Sequence, residues 1–112
     1  MKTGKTKISG KTYFYKGGKK QPGWQTIGKA KYYFDPKTKV MVTGKVKIGK
    51  RYYYFSPKTK TLGQMVKGWV KIRKKYYYFS PKTRTLGQMQ TGKVKIGKKI
   101  YKFNKKGVCL NR

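Results

Sequence analysis

The chain has no histidine, a single cysteine and a single acidic residue, and each shortage removes a class of chemistry. Without histidine or a second carboxylate there is no histidine base for a nucleophile, no carboxylate pair and no carboxylate or imidazole shell for a metal, and no constellation sets Tyr, Lys or Cys109 apart as catalytic. A non-catalytic protein with no metal and no cofactor is expected. Cys109 has no intrachain partner, so an intrachain disulfide is excluded and the redox compartment is not readable. Met1 to Gly10 lack an apolar run of signal-peptide type, and no segment offers the roughly 20 apolar residues that span a bilayer. A soluble chain is expected.

What the chain does have is positive charge. Its 112 residues carry 32 Lys and Arg, and with one Asp the net charge is +31. One carboxylate cannot neutralise that charge from within, so the counter-charge has to come from solvent ions or a partner. Such a composition would fit a disordered tail, but 11 Tyr, 5 Phe and 2 Trp are far more aromatic residues than disorder tolerates, and a folded chain is expected.

A repeat organises the sequence. Gly4-Lys5-Thr6-Lys7-Ile8 returns as Gly23-Trp24-Gln25-Thr26-Ile27, Gly44-Lys45-Val46-Lys47-Ile48, Gly68-Trp69-Val70-Lys71-Ile72 and Gly92-Lys93-Val94-Lys95-Ile96. The opening glycines lie 19, 21, 24 and 24 residues apart, and an aromatic run follows each copy. Short alternating segments followed by Tyr- and Phe-rich ones are strand signals, and two residues between them predict a tight hairpin turn. The expected fold is all-β, a solenoid of about five tandem stacked hairpin repeats of 19–24 residues forming one array over residues 1–112. Isolated hairpins are marginal in water, so the repeats are expected to stack apolar face on apolar face, with the terminal units as caps.

In the third repeat the register puts Val46 opposite Tyr53 and Lys45 opposite Tyr54. One face then carries Val46, Ile48, Tyr53 and Phe55, the expected core, with Val70, Ile72, Tyr77 and Phe79 repeating it. The other face interleaves Lys45 and Lys47 with Tyr52 and Tyr54, Trp69 replacing a lysine in the next repeat, and is the expected working face. Asp35-Pro36, Ser56-Pro57 and Ser80-Pro81 open connecting turns, Asp35 serving as a turn residue.

Gly-Trp, then Val-Lys-Ile, then Tyr-Tyr-Tyr-Phe, then Asp or Ser-Pro-Lys-Thr, phased from Gly4 to Phe103, resembles the cell-wall-binding repeats of bacteria, which include choline-binding and glucan-binding modules. The resemblance implies an extracellular or cell-surface module, without chemistry of its own, that attaches to envelope carbohydrate or to choline on teichoic acid. It also implies aromatic cages for a quaternary ammonium, and the matching positions are Trp24, Tyr52, Tyr54, Trp69, Tyr76 and Tyr78. Lys5, Lys45 and Lys93 stand where the family places Trp, so weak or absent choline binding is expected. Lys29, Lys50, Lys74 and Lys98 in the turns, and Lys39, Lys60 and Arg84 in the connectors, stand where it places Gly. At positive φ each would cost about 1 kcal/mol. The pattern reads as a surface made cationic, by engineering or by adaptation to an anionic target.

The leading functional expectation is therefore binding of an anionic polymer, a nucleic acid or a teichoic-acid-like chain. Its expected contacts are Lys45, Lys47, Lys50, Arg51, Lys71, Arg73, Lys74, Lys75, Lys93, Lys95, Lys98 and Lys99. The tyrosines between them would either stack on exposed bases or pack between hairpins, and packing is favoured. Sequence-specific readout is not expected, because Arg is scarce. The alternatives are an envelope-carbohydrate or choline module and a structural, assembly-forming scaffold, monomeric until a polyanion templates it. Lipid attachment would be peripheral and salt-sensitive.

Overall fold

The computed structural model describes residues 4–112; the first three residues of the leader reading lie outside that range. The described residues are all-β, in eleven strands, with no α-helix among them. The first hairpin pairs β1 (Gly4–Ile8) with β2 (Lys11–Lys16), and the short β3 (Lys19–Lys20) adds a third strand after a Gly17-Gly18 turn. Four more hairpins follow: β4 (Gly23–Ile27) with β5 (Ala30–Phe34), β6 (Gly44–Ile48) with β7 (Arg51–Phe55), β8 (Gly68–Ile72) with β9 (Lys75–Phe79), and β10 (Gly92–Ile96) with β11 (Lys99–Phe103). Each opens at the glycine that starts its repeat. The fourth has the anticipated register, Trp69 opposite Tyr78 and Val70 opposite Tyr77.

The chain divides into two compact units. The first comprises residues up to Gly44 with Phe55–Met65, the second Lys45–Tyr54 with Val66–Arg112.

Within each unit the hairpins follow one stacking rule, and it differs from apolar face on apolar face. In the first unit Phe14, on the lysine side of its hairpin opposite Lys5, stacks on Phe34, on the core side of the next, with ring centroids 6.0 Å apart. In the second unit Tyr54 stacks on Phe79 in the same sense at 5.9 Å. The lysine-side face of one hairpin therefore lies on the core-side face of the next, and the aromatic residues of the expected working face are largely used in packing. Phe34, Phe55 and Phe79 are fully buried by this arrangement. Burying each ring contributes about 1.5–3 kcal/mol, and each ring pair roughly another 0.5–1.5.

Backbone hydrogen bonds clamp the stack. Met41 bridges to Phe34 and donates its N–H to the Thr12 carbonyl of the preceding hairpin at 2.8 Å; Met65 does the same for Phe55 and the Lys31 carbonyl. In the second unit Met89 reaches Tyr52 and Cys109 reaches Tyr76, each at 2.8 Å. Cys109 is thus the last member of the methionine series, a half-buried clamp residue with a free thiol.

The connectors explain which lysines replace glycine at a cost. Lys39, Gly63, Gly87 and Gly107 are equivalent, each two residues before a clamp and each donating its N–H to the carbonyl of the residue that opens its connector. All four have positive φ, 64° at Lys39. Lys60 and Arg84 instead lie in one-turn 3-10 helices, Thr59–Thr61 and Thr83–Thr85, and carry no such strain. The hairpin turns divide similarly. Gly28, Gly49 and Gly97 take the positive φ at the first turn position, which leaves Lys29, Lys50 and Lys98 with ordinary backbone. Only the Arg73-Lys74 turn lacks glycine, with φ of 50° and 70°. The glycine-for-lysine cost expected at seven positions falls on two of them, Lys39 and Lys74, and on Arg73 besides.

Asp35 is the turn residue anticipated. Its Oδ1 accepts the N–H groups of Lys37 at 2.7 Å and Thr38 at 3.1 Å. Donation from the Thr38 and Lys37 backbones holds its carboxyl below the usual carboxylate range. Ser56 and Ser80 cap their connectors through Oγ, each also bonded to a threonine hydroxyl at 2.6 Å.

Candidate cation-binding aromatic corners

Because strand side chains alternate, every second residue after the opening glycine points to the lysine-side face, which within a unit meets the next hairpin's core-side face. At Lys5, Lys45 and Trp69 the first such residue approaches the same neighbour, the third residue of the next hairpin's second strand. Where it is lysine, an ammonium lands on a tyrosine. Lys5 Nζ lies 4.1 Å from the centroid of Tyr32 and donates to its hydroxyl at 3.0 Å. Lys45 Nζ lies 5.1 Å from Tyr77 and 5.6 Å from Tyr52. Where it is tryptophan, a ring lands there instead: Trp69 meets Tyr101 edge-on at 4.9 Å.

The second unit builds the fuller corner. Trp69 touches Tyr78 at 5.2 Å and Tyr76 at 6.4 Å on its own hairpin, and Tyr101 and Phe103 at 4.9 and 5.8 Å on the next. The Tyr76 ring stands at 86° to Trp69, which makes a two-walled corner. A cation occupies it: the Arg112 guanidinium lies 4.5 Å from the Trp69 centroid and 4.7 Å from that of Tyr76. Such contacts are worth about 0.5–1 kcal/mol per ring when exposed and roughly 2 when dry.

In the first unit Trp24 meets Tyr33 at 5.3 Å and Phe55 at 5.7 Å and is 41% exposed. Of the six cage residues expected from sequence, Trp69, Tyr76 and Tyr78 come together. Trp24 belongs to the first unit, with Tyr33 and Phe55. Tyr52 faces Lys45 and Lys47, and Tyr54 is committed to Phe79. Tyr101, Phe103 and Arg112 were not anticipated as site residues. A signal for Tyr101 was present, because it repeats Tyr77, but the face it meets was assigned wrongly.

The twelve cations expected to meet a polyanion are all exposed and all lie in the second unit. On the last hairpin Lys93 sits directly opposite Lys102, a like-charged pair. Among the described residues no group of three or more His, Cys, Asp or Glu could hold a metal ion, and no helix is long and apolar enough to cross a membrane.

Tandem hairpins, backbone clamps and an aromatic corner around a cation define a class of hairpin-repeat modules. The choline-binding repeat model matches residues 22–66 and 42–84, more than half of the chain. The chain belongs to the choline-binding repeat family. Among solved structures it is similar to choline binding protein F from Streptococcus pneumoniae, crystallised in the presence of a tetrasaccharide-pentapeptide peptidoglycan analogue. The TM-score is 0.86 at 30% identity, over 98% of this chain and 35% of that one. CbpJ from Streptococcus pneumoniae TIGR4 gives a TM-score of 0.85 at 28% identity, over 97% and 38%. The pneumococcal cell-wall endolysin from phage Cp-1, complexed with choline, gives 0.61 at 29%, over 98% and 31%. The chain thus spans about a third of the length of these proteins. No curated protein sequence matches it.

Proposed function

We propose that the chain is a non-catalytic cell-envelope attachment module that binds quaternary ammonium groups, choline foremost, at aromatic corners on its hairpins. The observation that carries this reading is the Trp69–Tyr76 corner, where two nearly perpendicular rings face one cation. A trimethylammonium group spreads its charge over methyls and is weakly hydrated, so it loses little on leaving water and gains from both ring quadrupoles. Related structures crystallised with choline and with a peptidoglycan analogue support the same target class. Calorimetric titration with choline chloride at constant ionic strength tests it: saturable binding that Trp69→Ala weakens at least tenfold is expected, and no heat at millimolar choline would end the reading. Lys5 and Lys45 hold their own ammonium groups on the tyrosines at their positions, so fewer sites than hairpins are expected.

A second reading, contact with an anionic polymer, is favoured by one observation. A charge of +31 meets a single carboxylate, and the twelve candidate cations point to solvent. Lysines along a phosphodiester release counterions, so affinity would fall with log salt at a slope near −0.9 per phosphate contacted on duplex DNA. Fluorescence anisotropy with a labelled oligonucleotide and with polyphosphate, from low to high salt, separates the readings. Choline binding holds or strengthens with salt, which screens the repulsion between a cation and the +31 chain, whereas polymer binding collapses.

A further inference from the structure

The Trp69–Tyr76 corner is occupied by the chain's own Arg112, and the segment that delivers this residue is firmly held. Cys109 donates its N–H to the Tyr76 carbonyl at 2.8 Å, and Leu110 donates to the Lys102 carbonyl at 2.7 Å. Asn111 then ties the segment to the last hairpin: its Oδ1 accepts the Lys102 N–H at 2.9 Å and its Nδ2 donates to the Ile100 carbonyl at 3.3 Å. These bonds fix the backbone up to Asn111, so the arginine side chain starts from a defined point beside the corner. The guanidinium is planar, weakly hydrated and always charged, which suits an aromatic face better than an ammonium does.

We infer that Arg112 is an internal competitor for the ammonium site of the second unit, and that a ligand enters the Trp69–Tyr76 corner only by displacing it. The inference rests on the functional reading above and names the regulation of its site. A tethered occupant lowers apparent affinity by the fraction of molecules in which the site is filled. Displacement needs only side-chain rotation, because the anchoring bonds are made by residues 109–111 and survive it. The freed guanidinium then joins the neighbouring cations, so a choline group borne on an anionic chain displaces Arg112 more readily than free choline does.

The test uses the full chain labelled for NMR. In the free protein the Arg112 δ-methylene protons are expected upfield of random-coil values, shifted by the ring currents of Trp69 and Tyr76. Choline chloride, exchanged against sodium chloride, is expected to return them toward random coil while the Trp69 indole N–H moves. Arg112→Ala is expected to raise choline affinity at Trp69 about fivefold, and Arg112→Lys by less, since both rings lose only part of their cation. Random-coil Arg112 shifts in the free protein, or an Arg112→Ala affinity equal to that of the parent, overturn the inference. If choline moves the Trp24 indole and not that of Trp69, in the parent and in Arg112→Ala alike, the inference falls, and of the functional reading only choline binding survives, without the Trp69–Tyr76 corner as its site. If neither indole responds in either protein, both fall.

Discussion

Trp24 and Trp69 occupy the same place in their repeats, each directly after the opening glycine and each opposite a tyrosine, Tyr33 or Tyr78. Their surroundings diverge because of one residue on the partner strand. Tyr76 stands diagonal to Trp69 and completes a corner, whereas the equivalent residue beside Trp24 is Lys31, which is exposed. Trp69 has the Tyr76 ring and a guanidinium beside it; Trp24, with Lys31 in place of that ring, leaves 41% of its surface in water. A repeat position therefore does not define a binding site, because the site is made by the residue two places along the paired strand.

The comparison yields predictions of decreasing size. Trp69→Ala should cost about 3 kcal/mol of stability, toward the lower end for truncating a large aromatic residue, and Trp24→Ala about half that. Equal costs by urea titration would show that the two environments do not differ energetically. A smaller effect comes from the turns: Arg73→Asn with Lys74→Gly should stabilise the second unit by about 1–2 kcal/mol by removing side chains ill suited to positive φ. Lys39→Gly should give about 1 kcal/mol in the first unit. Thermal melts of these variants read the gain directly, and a loss in either would mean that the lysine tails stabilise more than their backbones strain.

Lys31→Tyr sharpens the contrast further by giving Trp24 the second wall that Trp69 has. Choline affinity at Trp24 should rise about fivefold, the worth of roughly 1 kcal/mol of added cation–π attraction, as followed by the Trp24 indole signal. The smallest effect separates the units by pH. Hydrogen bonds hold the Asp35 carboxyl below its ordinary range, so its stabilisation is fully present above the unfolded value and is lost as pH falls through the lowered folded one. A slight drop in melting temperature at strongly acidic pH is expected for the first unit. Asp35→Ser, which copies Ser56, should remove that pH dependence, and an unchanged slope in this variant would assign it elsewhere.

Much of the fold was legible from residue spacing. Gly-x-x-x-Ile followed by two residues and an aromatic run specifies a hairpin, because the strand period sorts the side chains and the turn length sets the register. The faces of the fourth hairpin followed from that register alone. The stacking sense was not legible, since alternation shows that a strand has two faces but not which face of its neighbour each will meet. Tyr54 looked like a working-face ring and is packed on Phe79 for that reason. Lys39 was grouped with Lys60 and Arg84 by its distance from proline, while the hydrogen bonds align it with Gly63. The two-residue β3 and the one-turn 3-10 helices carried no periodic signal to find.

The amino-acid sequence by itself determined a five-hairpin β-repeat with a cationic exterior, because local periodicity, turn length and net charge are properties of neighbours along the chain. The tertiary structure alone decided which rings form a corner and which cation fills it. Tyr76, Tyr101 and Arg112 meet at Trp69 through stacking and through bonds from Cys109, Leu110 and Asn111, and no spacing in the sequence encodes that meeting.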